Sequence, residues 1–559
     1  MTEHDHLVMY YLEDKKLSGE NTQVHDAGLD KQQAFDNPVQ GRTIVEVTGA
    51  DYADPNPDPD AIGDFEDDSP YPEVRSAVAN TDNVNMPVGT LRARIIGLMW
   101  AILIPGLNQF FFFRHPSVTI GPLGAQLLSF PLGRALAAVT LNWTILGSNL
   151  NSGPFSIKEQ VLITIMASVG SESAYAMDVV AVQRAFYNQR WSFTYQWLIT
   201  MSTQLIGFSI SGIMRRFLVS PPSMIWPANL VYAALFNTLH QAQYAGAGNR
   251  GGISRECFFA YACAFSFSWY FLPGYLFSAL SYFSWMCWLA PNNVVVNQLF
   301  GVVHGLGGSL LTFDWCQIAY IGSPRATPWW AEANVAVGFF FFFWLLTPLL
   351  YYTNTWYGKH MPISSRGSYD HFGKPYNVTR ILNIDSTLNM DEYKQYSPLF
   401  ISTVFALSYG LSFASITATA VHAFLYFRKQ IWIQALSEQP DIHARLMSNY
   451  KEVPEWWYGL VFITQFIFVV ISLEVWHTQF PIYAFVVTLL VAFVYSIPIG
   501  MIQAITNQQI GLNVVTELII GYWLTRKPLL GHYMKIPPQT MFWGQVWPTV
   551  IAGTVQLGV

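Results

Sequence analysis

Apolar runs of membrane-spanning length recur along this chain from residue 93 towards its end, parted by polar turns. A helix needs ~20 apolar residues to cross the hydrocarbon core, and the pattern predicts roughly 12–14 such segments. Among them are 93–113, 161–182, 195–218, 258–280, 333–353, 397–427, 458–475 and 479–500. The expected fold is an all-α polytopic membrane helix bundle with broken or re-entrant helices. Two polar stretches, 354–396 and 428–456, are long enough to be loops outside the bilayer, and one apolar segment separates them. Residues 1–90 contain no apolar run of membrane length.

Composition agrees with the pattern. Hydrophobic residues make up 52% of the chain and charged residues 11%, whereas a soluble domain carries about 25% charge. The charge is unevenly placed. Residues 1–90 hold 19 Asp+Glu against 5 Lys+Arg, and the remainder holds 24 Lys+Arg against 16 Asp+Glu. The Pro-rich acidic head, with ADPNPDPDA and FEDDSP, cannot bury a core and is expected to be a disordered cytoplasmic tail. The membrane domain is then expected over 91–559. A basic stretch followed by an apolar core is missing from the head, so no cleavable signal peptide is expected.

The four cysteines, Cys257, Cys263, Cys287 and Cys316, lack metal-ligand spacing and read as packing residues. The Gly305, Gly307, Gly308 run lacks the Lys of a nucleotide loop, and no GxSxG occurs. The reading is a non-enzyme with no cofactor, driven if at all by protons as coupling ion. The lipid bilayer is an expected partner, nucleic acid is not, and the oligomeric state is open. The expected location is the plasma membrane, with an endosomal or vacuolar membrane as the alternative.

Three features carry candidate chemistry. In NSGPFSIKEQVLITIMA, Asn151, Gly153 and Pro154 form a turn before Lys158 and Glu159, which lead directly into an apolar run. Charged and helix-breaking residues at membrane depth are tolerated only inside protein or along a water-filled cavity; the alternative is an ordinary loop before a span. Next, residues 496–523 open with Pro498 and Gly500 and then place Gln503, Asn507, Gln508, Gln509, Asn513 and Glu517 in one segment. Gln503, Asn507 and Gln508 would share one helical face and could satisfy a peptide backbone, which is costly to leave unpaired. The competing reading is glue between helices. Last, ionisable groups recur within apolar segments: Glu172, Asp178, His304, Asp314, His422, Glu474 and Glu517. A proton-driven carrier needs a group of this kind, and Glu172 and Asp178 are favoured because they follow the NSGPF turn. Asn377-Val378-Thr379 is a glycosylation sequon, which places 354–396 outside the cell and 428–456 inside.

NSGPFSIKEQVLITIMA, SPLFISTVFALSYGLSFASITATAVHAFLYFRKQIW (397–432), QAITNQQIGLNVVTELIIGY (503–522) and GHYMKIPPQTMF (531–542), in this order, resemble the oligopeptide transporter family, its fungal branch most of all. The resemblance runs from about residue 90 to the end. It implies proton-coupled import of small peptides, tetra- and pentapeptides and glutathione-like thiol peptides; a sister branch carries metal–chelate complexes. It adds Tyr409 to the substrate-binding candidates and marks Lys535, Pro537 and Pro538 as family-motif residues. The family's NPG turn reads Asn151-Ser152-Gly153 here, and its KIPPR reads Lys535-Ile536-Pro537-Pro538-Gln539. A membrane-associated stretch that relatives carry before Gly531-His532 is shortened to Trp523–Leu530, and relatives continue past Val559. The alternative to an active carrier is a transport-incompetent relative with an interaction or regulatory role.

Overall fold

A helix that is apolar on every side has nowhere to go but the interior, and α4 (Ile157–Val169, IKEQVLITIMASV) follows that rule: every residue after Ile157 is buried. The computed structural model describes residues 69–114, 119–139, 144–145, 148–149, 153–171, 173–185, 189–240, 255–319, 324–381, 383, 389–436, 442–476, 482–510 and 538–559. The chain divides into two units, Met1–Ala50 and Asp51–Val559, and the first lies outside the described residues. A short helix α1 (Pro72–Ala77) is followed by α2 (Leu91–Phe112) and α3 (Pro122–Val139), and α5 (Tyr175–Ala185) comes after α4. Next come α6 (Phe193–Leu218), α7 (Pro227–His240) and α8 (Arg255–Phe271). The apolar helices α9 (Trp329–Tyr352) and α10 (Thr403–Gln434) precede α11 (Glu455–Val475). Among the described residues the last two are α12 (Ile482–Thr506) and α13 (Pro538–Gly558). Among the described residues strands are confined to two-residue antiparallel pairs, such as Phe283–Ser284 with Leu310–Leu311.

Among the described residues five helices, α2, α6, α9, α10 and α11, are long and apolar enough to cross a membrane by length and composition. Around α4 pack α2, α3, α7 and α13. Close approach rests on glycine: a Cβ on Gly97 of α2 would overlap the Met166 side chain, and one on Gly212 of α6 would overlap the Tyr458 ring of α11. Small residues let a neighbouring helix's side chains pack directly on the backbone, where dispersion rather than water exclusion holds them.

Three sequence expectations change here. The segment 161–182 is not one span. It breaks at Gly170, the C-cap of α4, where a Cβ would lie 2.9 Å from Ala552 and 3.0 Å from Pro105. Nor does α12 break at Pro498 and Gly500; it runs through both to Thr506. A proline within a helix bundle is tolerated where nearby groups re-satisfy the freed backbone, and Ser496 Oγ donates to the Ala492 carbonyl at 2.6 Å in the turn before it. Finally, the expected tail of 1–90 is too long. Residues 69–90 fold against the helices, with Val74 and Val78 buried to 2% and 1% exposure. Irregularity sits elsewhere: π-helical turns occupy Leu272–Leu276, Phe340–Leu346 within α9 and Ala423–Phe427 within α10.

Candidate functional site

The amide-rich end of α12 is built on one left-handed residue. Asn507 has φ 57°, and its backbone N–H closes on the Gln503 carbonyl at 3.0 Å. Asparagine serves as a left-handed helix terminator at little steric cost. The Thr506 hydroxyl donates back to the Ile502 carbonyl at 2.7 Å and accepts from the Gln508 N–H at 3.1 Å. The Asn507 side chain then donates to Thr327 Oγ1 at 3.2 Å, and Gln508 Nε2 faces Glu332 Oε1 at 3.5 Å. Gln503 is buried, while Asn507, Gln508 and Gln509 are half-buried. A loop secures the helix end: the Trp226 N–H donates to the Ala504 carbonyl at 2.8 Å and its indole to Leu218 at 2.8 Å.

Gln503, Asn507 and Gln508 therefore do not share a helical face as expected, because the helix stops before Asn507. The turn still gathers the amides at one place, and it brings in Thr327 and Glu332 beside them. Glu332 was missed by sequence reasoning, although a lone acid inside WWAEANVAVGF was a visible signal. It is half-buried in the first turn of α9, and among the described residues no cation lies within salt-bridge distance of it. Tyr409 is not part of this cluster. Its ring stands edge-on to Phe405 at 4.8 Å and is 38% exposed. Asn513 and Glu517 lie outside the described residues, as do Asn151, Glu172, Lys535 and Pro537; Pro538 opens α13.

The second polar cluster is the start of α4. Gly153 adopts φ +98°, a conformation glycine alone enters freely, and Pro154 follows. Ser156 caps the helix, and with Glu159 it forms a reciprocal capping box. Glu159 also accepts from Thr90 Oγ1 and pairs with Arg92 at 2.6 Å, both partners being almost fully buried. The Arg92 guanidinium donates in addition to the Gly153 carbonyl at 3.2 Å. Lys158 pairs with Asp82 at 2.7 Å and donates to the Asn83 carbonyl at 2.9 Å and the Tyr450 hydroxyl at 2.6 Å. Tyr450 in turn donates to Asp82 at 2.6 Å. Burial, with the Asp82 carboxylate second, pushes this phenol well above the usual tyrosine range. Lys158 and Glu159 are thus satisfied inside protein. They pin the juxtamembrane segment and the loop at residue 450 to the central helix.

The ionisable candidates are scattered. Asp178 is half-buried in the first turn of α5, without a cation partner among the described residues. Asp314 is 5% exposed, but its carboxylate caps a short helix at the Cys316 N–H, 2.9 Å away, and accepts from Ser281 at 3.1 Å. His304 and Glu474 are exposed, and so is His422, whose ring lies against Tyr426 at 4.8 Å. Asp178, Asp314 and His304 are therefore not brought together into one relay by the described contacts. Asn377 is exposed, with the Thr379 hydroxyl donating to its side-chain oxygen at 2.7 Å.

Known proteins match most of this chain. A family model described as OPT oligopeptide transporter protein covers residues 88–531. The sexual differentiation process protein isp4 of Schizosaccharomyces pombe is 43% identical over 529 residues, 89% of this chain and 67% of that protein. Glutathione transporter 1 of the same yeast is 40% identical over 88% of this chain and 62% of its own. Oligopeptide transporter 1 of Saccharomyces cerevisiae is 38% identical, covering 88% and 66% respectively. The chain spans about two thirds of the length of these relatives. With its apolar helices and a family match over most of its length, the chain is an integral membrane protein that belongs to the oligopeptide transporter family.

Proposed function

We propose that this chain carries small peptides across a membrane, driven by protons, and receives the peptide backbone at the amide cluster that ends α12. The observation that carries the reading is the left-handed Asn507, which stops the helix and leaves Asn507, Gln508 and Gln509 side by side, half-buried. Each amide side chain offers both a donor and an acceptor, the pairing that a desolvated peptide group requires. Glu332 beside Gln508 supplies a carboxylate for the α-ammonium end of the peptide. Helix interruptions inside a bundle are where secondary carriers build their sites. The names of the yeast glutathione and oligopeptide transporters support a peptide or thiol-peptide cargo.

Cells lacking their own peptide uptake provide the test. Expression of this chain should support growth on a tetrapeptide. Gln508→Ala and Asn507→Ala should each weaken uptake about tenfold, the loss of one hydrogen-bonding partner at roughly 1.4 kcal/mol, with surface expression unchanged. Normal uptake in both variants would return these amides to a purely structural role.

A further inference from the structure

A groove of about 610 Å³ runs along the seam of α2, α4 and α13, within the ~300–1,000 Å³ range of small-ligand sites. The three helices run parallel there. A Cβ on Gly89, just before α2, would lie 3.4 Å from Thr540 of α13, and one on Gly106 would lie 3.4 Å from Val555. Likewise a Cβ on Gly544 would lie 2.9 Å from Leu162 of α4. Polarity changes in the same direction on the two outer helices. Arg94 precedes Leu98 on α2, and Gln539 and Thr540 precede Trp543, Trp547 and Ile551 on α13, while α4 contributes only Leu162 and Met166. One end of the groove is therefore cationic and hydrogen-bonding, and the rest is apolar.

We infer that this groove holds an anionic phospholipid, its phosphate on Arg94 and an acyl chain along Leu98, Met166 and Trp547. Arg94 is exposed and has no carboxylate within salt-bridge distance among the described residues, whereas its neighbour Arg92 is neutralised by Glu159. A guanidinium is well matched to a phosphodiester. Trp543 and Trp547 stack at 6.4 Å and remain 48% and 58% exposed, as interfacial tryptophans do where a helix meets headgroups. A peptide in the same groove would leave its amides unpaired beyond the first turn, since polar partners line only one end.

The full chain, purified in detergent, would be offered phosphatidylserine and phosphatidylcholine with identical acyl chains, then washed and weighed by native mass spectrometry. Phosphatidylserine should be retained in preference. Arg94→Gln should weaken that retention about tenfold, the scale of one charged hydrogen-bond set. Arg114→Gln should not, because that cation sits over Phe110 at the other end of α2. Equal retention of the two lipids by the unaltered chain would overturn the proposal, as would an unchanged Arg94→Gln or equal losses in both variants. If Arg94→Gln fails to fold, brominated-chain lipids give a second reading on the unaltered chain. Brominated phosphatidylserine should quench tryptophan fluorescence more than brominated phosphatidylcholine, and Trp547→Phe should reduce the difference. Equal quenching by the two lipids would again overturn the assignment.

Discussion

Lys158 and Asp82 illustrate how a buried charge is tolerated at the residue scale. Their side chains are 4% and 3% exposed and 2.7 Å apart, and Tyr450 and the Asn83 carbonyl take up remaining hydrogen bonds. Breaking such a pair leaves an uncompensated charge in a dry site, at about 3–5 kcal/mol, whereas removing both charges is far milder. Lys158→Met should therefore lower the thermal midpoint of the detergent-purified protein sharply, with Asp82→Asn close behind. The double variant Asp82→Asn, Lys158→Met should recover much of that loss. A double variant no more stable than either single one would show that the pair contributes by shape rather than charge. Lys158 was legible in the sequence as a charge in the wrong place. Its partner was not, because Asp82 lies in a segment whose composition reads as solvated tail.

For elements, the informative case is the end of α12. The left-handed φ at Asn507 stops the helix, and the side-chain amide bonds Thr327; these are separable jobs. Asn507→Gly keeps the backbone turn and removes the amide, so the protein should fold and mature normally while peptide uptake falls. Asn507→Val forces a β-branched residue into the left-handed region, at about 1–2 kcal/mol or more, so surface level itself should drop. Equal maturation of the two variants, measured by surface labelling, would remove the backbone argument. Proline and glycine signals in the sequence pointed to Pro498 and Gly500 instead. They missed because a proline within a packed bundle can be accommodated, whereas a change in the sign of φ ends the helix outright.

The whole molecule decides topology and coupling. The loop around residue 450 meets the starts of α4 and α13 through Lys158–Tyr450 and Gln539–Glu452 contacts, and the end of α6 through Arg215–Glu452 at 3.7 Å. These ends therefore lie on one face. The helix α10 separates that loop from 354–396, where Asn377 is exposed. Glycosidase should shift the mobility of the expressed protein, and Asn377→Gln should abolish the shift. Protease protection of 354–396 in intact cells would reverse the topology. For coupling, Asp178 offers a half-buried carboxylate without a cation partner among the described residues. Asp178→Asn should abolish uphill accumulation of peptide while exchange of labelled for unlabelled peptide survives. Full accumulation in this variant would transfer the role to another acid, with Glu332 the first to examine.

The amino-acid sequence alone determined the membrane class and the approximate position of most long helices, because apolarity over a span is a local property. It also located the amides of 503–509, since their crowding in an apolar segment is visible without a partner. The tertiary structure decided which polar groups satisfy one another: Arg92 with Glu159, Asp82 with Lys158 and Glu332 beside Gln508, pairs separated by 67, 76 and 176 positions. It also decided that Asp314 caps a helix, that α4 and α5 part at Gly170, and that residues 69–90 fold. Hydrophobic pattern sets what must be buried. The partner of each buried polar group depends on which helices meet, and that information is spread over the whole chain.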